Sequence, residues 1–397
     1  VSETAVIAKS PERTDADEPR FAYIARLATA YLVVSHDTND RTEYAERLVE
    51  ALLKDARVTK AIAPPLDKAW SPQFTVYAPL GKSTDLSGVL EATRHAHVQR
   101  FSAPLAFEVH VPAKNQPKVF DDDDIPTEDY LVLWDGAMLL VLWQQPVDDL
   151  LGSSGGHVVE HILEDATERI DAGILVQACS PECDYVFMHT AIRVVPEKGA
   201  ADWSSSLDDQ FVLNVAIPEP DPDDAPMDVA LSVWYRTHSA VEAFAGMKNV
   251  GRQVLELEQL VRFDLDRLNR LHHERASASQ QNVIQRTKAL WTYRSWRRTS
   301  RLYLARLWLG LGNLERLKRR WTDKHLSFRR TADEAGMMDL FLIDSQEEMA
   351  LVEELRLDLV EAAVQHASER LNSTAVAAAT VGGAVAGALV AAVITMA

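Results

Sequence analysis

The sequence closes on TAVAAATVGGAVAGALVAAVITMA, residues 374–397, a stretch without charge or proline. At about 1.5 Å per residue, a helix of this length covers the roughly 30 Å of a bilayer's hydrocarbon, so the stretch reads as one C-terminal transmembrane helix. Small residues recur at every fourth position, at Ala375, Ala379, Gly383, Gly387 and Ala391, and form a shallow ridge. Lipid offers little advantage over a protein neighbour, so helices associate there by close packing. The GxxxG step at Gly383 and Gly387 therefore predicts helix packing along this ridge and a homo-oligomer. The competing assignment is a buried apolar helix or an alanine-rich tail.

Charge divides the chain unevenly. A net charge of −18 argues against general affinity for nucleic acid. Yet residues 286–330 hold fourteen Lys or Arg against Glu315 and Asp323 alone. Arg294, Arg297, Arg298, Arg301, Arg319 and Arg320 alternate there with Trp296, Tyr303 and Trp321. Such a surface suits anionic lipid headgroups, an acidic protein surface of the same or a neighbouring subunit, or an anionic ligand. Only Cys179 and Cys183 are present, which favours a reducing compartment over a disulfide scaffold. The first residues are polar and show no secretory apolar region, so the body is expected in the cytoplasm with its single span in the membrane.

Hydrophobic patterning predicts a mixed α/β domain, then an all-helical bundle and stalk, then the membrane helix. The expected divisions are a disordered 1–22, an α/β domain at 23–236, a helical region at 237–345, a stalk helix at 346–373 and the span at 374–397. Within the α/β part, Tyr31–Ser35, Phe74–Tyr77, Leu105–Val109, Ile174–Gln177, Tyr185–Val194, Phe211–Ile217 and Val229–Tyr235 read as strands. Residues 43–53, 86–95 and 157–170 read as helices. The clearest local signal is YLVLW, then Asp135–Gly136, then AMLLVLW, a hairpin with a tight turn. Further on, Val254, Leu257, Val261, Leu265, Leu268 and Leu271 make one helical stripe. Leu302, Trp308 and Leu309 mark a second helix, and Val352, Leu355, Leu359, Ala362 and His366 have the spacing of a coiled-coil seam.

Five motifs bear on chemistry. His157, Glu160 and His161 form HxxEH, in which two histidines four apart on a helix could hold zinc while the glutamate activates water; Glu164, Glu168 and Glu242 are the available third ligands. Surface histidines on an ordinary helix are the plainer reading. Cys179 and Cys183 lack the second pair a zinc ribbon needs. Gly81–Lys82–Ser83–Thr84 ends like a phosphate loop, but Val76 stands where the first glycine belongs. Asp121–Asp124 is a carboxylate run compatible with a loosely held divalent cation, although it reads better as a solvated loop. Ser35, His36 and Asp37 are adjacent, and their side chains diverge in extended chain, so they form no triad.

An α/β domain, antiparallel helices and a long helix running through Glu369–Arg370–Leu371–Asn372 into an apolar span resembles the layout of CorA-type divalent-cation transporters. That resemblance implies a homopentamer with a pore lined by the first span and gated by divalent cation. The Gly-Met-Asn signature expected after that span is absent from the sequence. Three functions follow as expectations. The first is an oligomeric membrane protein whose body controls the span in ion conduction or as a membrane effector. The second is a tail-anchored adaptor or regulatory module, and the third a zinc-dependent hydrolase using residues 157–161.

Overall fold

The computed structural model describes residues 21–34, 42–63, 73–77, 95–116, 127–146, 157–177, 186–197, 203–208, 212–221, 224–279 and 293–371. Eleven strands form one mixed sheet: β1 (Phe21–Val34), β2 (Val58–Ile62), β3 (Gln73–Tyr77), β4 (His95–Gln99), β5 (Leu105–His110), β6 (Asp129–Trp134), β7 (Met138–Pro146), β8 (Gly173–Gln177), β9 (Ala191–Glu197), β10 (Ser204–Leu207) and β11 (Val212–Pro218). Their main path runs β10-β11-β9-β1-β7-β6-β5-β2. All pairings are antiparallel except β11 with β9.

The long strand β1 organises the sheet. Its first part, from Phe21 to Thr29, pairs with β7, and Tyr23–Ala25 pairs with β9 on the other side. Its second part meets β8 and β4. Only Tyr31–Val34 carries an obvious β pattern, so sequence reading placed the start ten residues late; Phe21 and Ala22 belong to the strand and not to the polar N-terminus.

Helices cover both faces of the sheet, and the strands alternate between two cores. Leu131, Leu133, Leu140 and Leu142 point into one core; Val132, Trp134, Leu139, Val141 and Trp143 point into the other. Burial on both sides explains why β6 and β7 read as unbroken apolar runs. Helices α1 (Thr42–Leu53) and α2 (Val158–Glu168) pack on the second face through Leu48, Leu52, Ile162 and Leu163. The hairpin turn is as expected: Gly136 has φ 86°, and a Cβ there would lie 2.3 Å from the Gln99 carbonyl oxygen.

The first core face receives the helical half: α3 (Ala225–Ser279), α4 (Tyr293–Glu334), α5 (Leu342–Glu353) and α6 (357–371). Residues 229–235 are the first turns of α3, not a strand. Val229, Ala230, Val233, Trp234, Thr237, Ala240, Val241 and Phe244 are buried at steps of one, three and four, and this helical period continues to Leu268. Phe244 of α3, Phe328 of α4 and Phe341 of the 3-10 turn Met338–Phe341 join these elements, with ring centroids 5.1 to 5.2 Å apart. The stalk seam is also revised: α5 ends at Glu353 and α6 restarts at residue 357, with Val360, Val364 and Ala367 inward and Leu359 outward.

An α/β domain followed by a helical bundle is therefore what the chain forms, and the membrane part of the expectation is corrected. Among the described residues no helix is long and apolar enough to cross a membrane. The longest, α3 and α4, carry charges along their whole length. Ala375, Ala379, Gly383, Gly387 and Ala391 lie outside the described residues. The bilayer as partner, the membrane location, the channel or tail-anchor roles and the transporter-like layout lose their structural support with that finding.

Candidate functional site

Where the sheet meets α3 and α4, a cleft of about 680 Å³ opens. It forms because three buried or half-buried polar groups hold the hairpin end of the sheet against the first turns of α3. Asp135, in the β6–β7 turn, accepts hydrogen bonds on Oδ1 from the backbone N–H groups of Ala137 at 2.9 Å and Met138 at 2.8 Å. Its Oδ2 accepts from Arg100 Nε at 2.8 Å and lies 3.2 Å from His238 Nε2. Arg100 also reaches Glu242 at 3.0 Å. Burial by itself would raise the Asp135 carboxyl's pKa, but the bond from His238, the Arg100 charge and the Met138 amide hold it below the usual carboxylate range.

His238 Nε2 stands between Asp135 and Arg100 Nη2. Protonated there, it donates to the carboxylate; deprotonated there, it accepts from the guanidinium. Trp234, one turn earlier on α3, has its ring 5.7 Å from the His238 ring. Tyr31 of β1 is buried, and that burial pushes its phenol pKa up, opposed mainly by Arg252.

The opposite wall is α4. Arg320 and Lys324 are four apart, hence on one helical face, and both line the cleft. Among the described residues neither has an ion-pair partner. Phe101, Pro104, Met138, Val241 and Ala245 supply apolar surface. The cleft therefore presents two uncompensated cations at one wall, an apolar and aromatic interior, and a His–Asp–Arg cluster opposite.

Of the arginines expected to contact anions, Arg320 alone among the described side chains lines this cleft. Arg298 and Arg301 are exposed elsewhere on α4, Arg297 is half-buried, and Arg319 pairs with Glu315. The Arg294 side chain lies outside the described residues. The HxxEH motif does not converge. His157 precedes α2 and is buried with its ring 5.1 Å from Phe187, while His161 is exposed and pairs with Glu164 at 3.3 Å. Among the described residues no group of three or more His, Cys, Asp or Glu is placed to hold a metal ion, which removes the support for a zinc hydrolase. Cys179, Cys183, Gly81–Thr84, Asp121–Asp124 and Ser35–Asp37 lie outside the described residues.

Sequence reading missed Arg100, Asp135 as more than a turn residue, His238 and Lys324. Asp135 is 35 residues from Arg100 and 103 from His238, and no local pattern links such positions. No family model matches this sequence, no curated protein resembles it significantly, and no solved structure significantly matches its fold. The transporter resemblance is thus unsupported by any family match.

Proposed function

We propose that the chain is a small-molecule-binding module whose ligand is an organic anion with a flat or apolar body, held between the sheet and the helical bundle. The observation that carries this reading is the cleft of about 680 Å³, in which Arg320 and Lys324 face an interior built from Trp234, Met138 and Phe101. That volume suits a drug-sized molecule, and apolar pockets with a few convergent polar groups are the usual form of such sites. Two cations four apart on one helix favour a carboxylate or phosphate, and the apolar lining favours a flat or apolar body. His238, held in place by Asp135, then recognises a hydroxyl or amide at the far end.

Tryptophan fluorescence tests this with phenyl phosphate and benzoate as probes and benzylamine as the cationic control. Saturable quenching by the anions, lost in Trp234→Phe and weakened at least ten-fold in Arg320→Ala/Lys324→Ala, supports the reading. Equal response to benzylamine, or unchanged binding in the double variant, refutes it.

A further inference from the structure

Two apolar stripes stand out in the sequence of the helical half, and both face outward in the fold. On α4, Arg298, Leu302, Ala305, Leu309, Gly312 and Arg316 are all exposed. Their steps of four and three are those of a heptad seam, which on one helix forms a continuous line for a second helix to pack against. Leu302 is 54% exposed and Leu309 57% exposed, with Trp308 at 43% beside them. The core of the same helix uses the opposite side, through Leu304, Leu307 and Leu314. A Cβ at Gly312 would meet nothing within 4 Å, so a neighbouring backbone can come close there. The second stripe is on α6, where Leu359, Ala362 and His366 are exposed and Leu359 is 58% exposed.

The two stripes are opposite in charge. Arginines Arg298, Arg301 and Arg316 bracket the α4 seam, and Asp358, Glu361 and Glu369 bracket the α6 seam. Of these, only Asp358 has an ion-pair partner among the described residues, its near neighbour Arg356, and that pair is exposed. Each stripe thus lacks what the other offers: a leucine-centred seam of the right period and a compensating row of charge. Helical period, exposed leucines and complementary charge together mark the two stripes as docking surfaces. The occupant that matches both stripes in period and charge is a second copy of this chain.

We infer that copies of this protein associate by seating the acidic α6 seam of one on the arginine-flanked α4 seam of another. The contact joins unlike surfaces, so it either closes reciprocally between two copies or continues from copy to copy. Two arginine-rich α4 seams repel each other, which disfavours the like-with-like arrangement. Because exposed charges contribute, the association weakens as salt rises.

Sedimentation velocity on the full chain, from low to high micromolar concentration and at low and high salt, tests this with two surface variants. Leu309→Asp disables the α4 seam and Leu359→Asp the α6 seam, and neither residue belongs to the core. The expected result is a mass that grows with concentration for the parent chain, at least ten-fold weaker association for each variant alone, and restored one-to-one pairing when the two variants are mixed. Mixing restores pairing because each variant keeps the seam that the other has lost. A parent chain that stays monomeric throughout overturns the inference. So does association that survives Leu359→Asp, which would assign the α4 seam to a different occupant, or a mixture that fails to pair.

Discussion

Glu348 of α5 is fully buried, and neither of its carboxylate oxygens has a hydrogen-bond partner. Burial pushes its pKa up to about 7 from 4.5, against the pull of Lys248 and Arg252 and with the push of Asp344 and Glu347. Between those two values the folded protein keeps a proton that the unfolded chain has released. Stability therefore falls as pH rises through this window, and the loss is complete above the folded value. A shift from 4.5 to about 7 corresponds to roughly 3 kcal/mol. Glu348→Gln keeps the shape, removes the titration and forfeits no hydrogen bond. The variant should match the parent near pH 4 and exceed it by about 3 kcal/mol near pH 8, with the difference growing between them. Urea unfolding followed by tryptophan fluorescence across that pH series measures this directly. A constant difference at every pH, or a variant that is less stable at pH 8, would refute the assignment of Glu348 as a buried acid that is neutral at low pH.

Two further outcomes follow from the geometry. Gly136→Ala places a Cβ 2.3 Å from the Gln99 carbonyl oxygen at φ 86°, so thermal unfolding should show a loss of about 2 kcal/mol or more, where an ordinary surface glycine shows little. Leu307→Ala should cost about 2–5 kcal/mol because it empties buried space, whereas Leu309→Ala should change stability by less than about 0.5 kcal/mol. Equal effects for the two leucines would show that the inward face of α4 is wrongly assigned.

Legibility followed the range of the interactions. The β6–β7 hairpin was readable because everything that makes it is local: alternating apolar strands and an Asp–Gly turn at a positive φ. The stripe from Val254 to Leu268 was readable because one long helix buries one face. Residues 229–235 were misread because a short apolar run fits a strand or a buried helix, and only the next turns of α3 decide between them. On α4 the helix was legible, but nothing local set its buried face. Leucines occur on both sides, and only packing against α3 selects Leu307 and Leu314 as core and leaves Leu302 and Leu309 exposed.

Local chemistry in the sequence determined the α/β-then-helical order, the hairpin and the helical periods, since these rest on contacts within a few residues. The tertiary structure alone decided which face of α4 is inside, how β1 spans four neighbours, and that Arg100, Asp135 and His238 meet beside Arg320 and Lys324. Those outcomes depend on contacts between segments tens to hundreds of residues apart. Their energy exists only once the sheet and the long helices have packed.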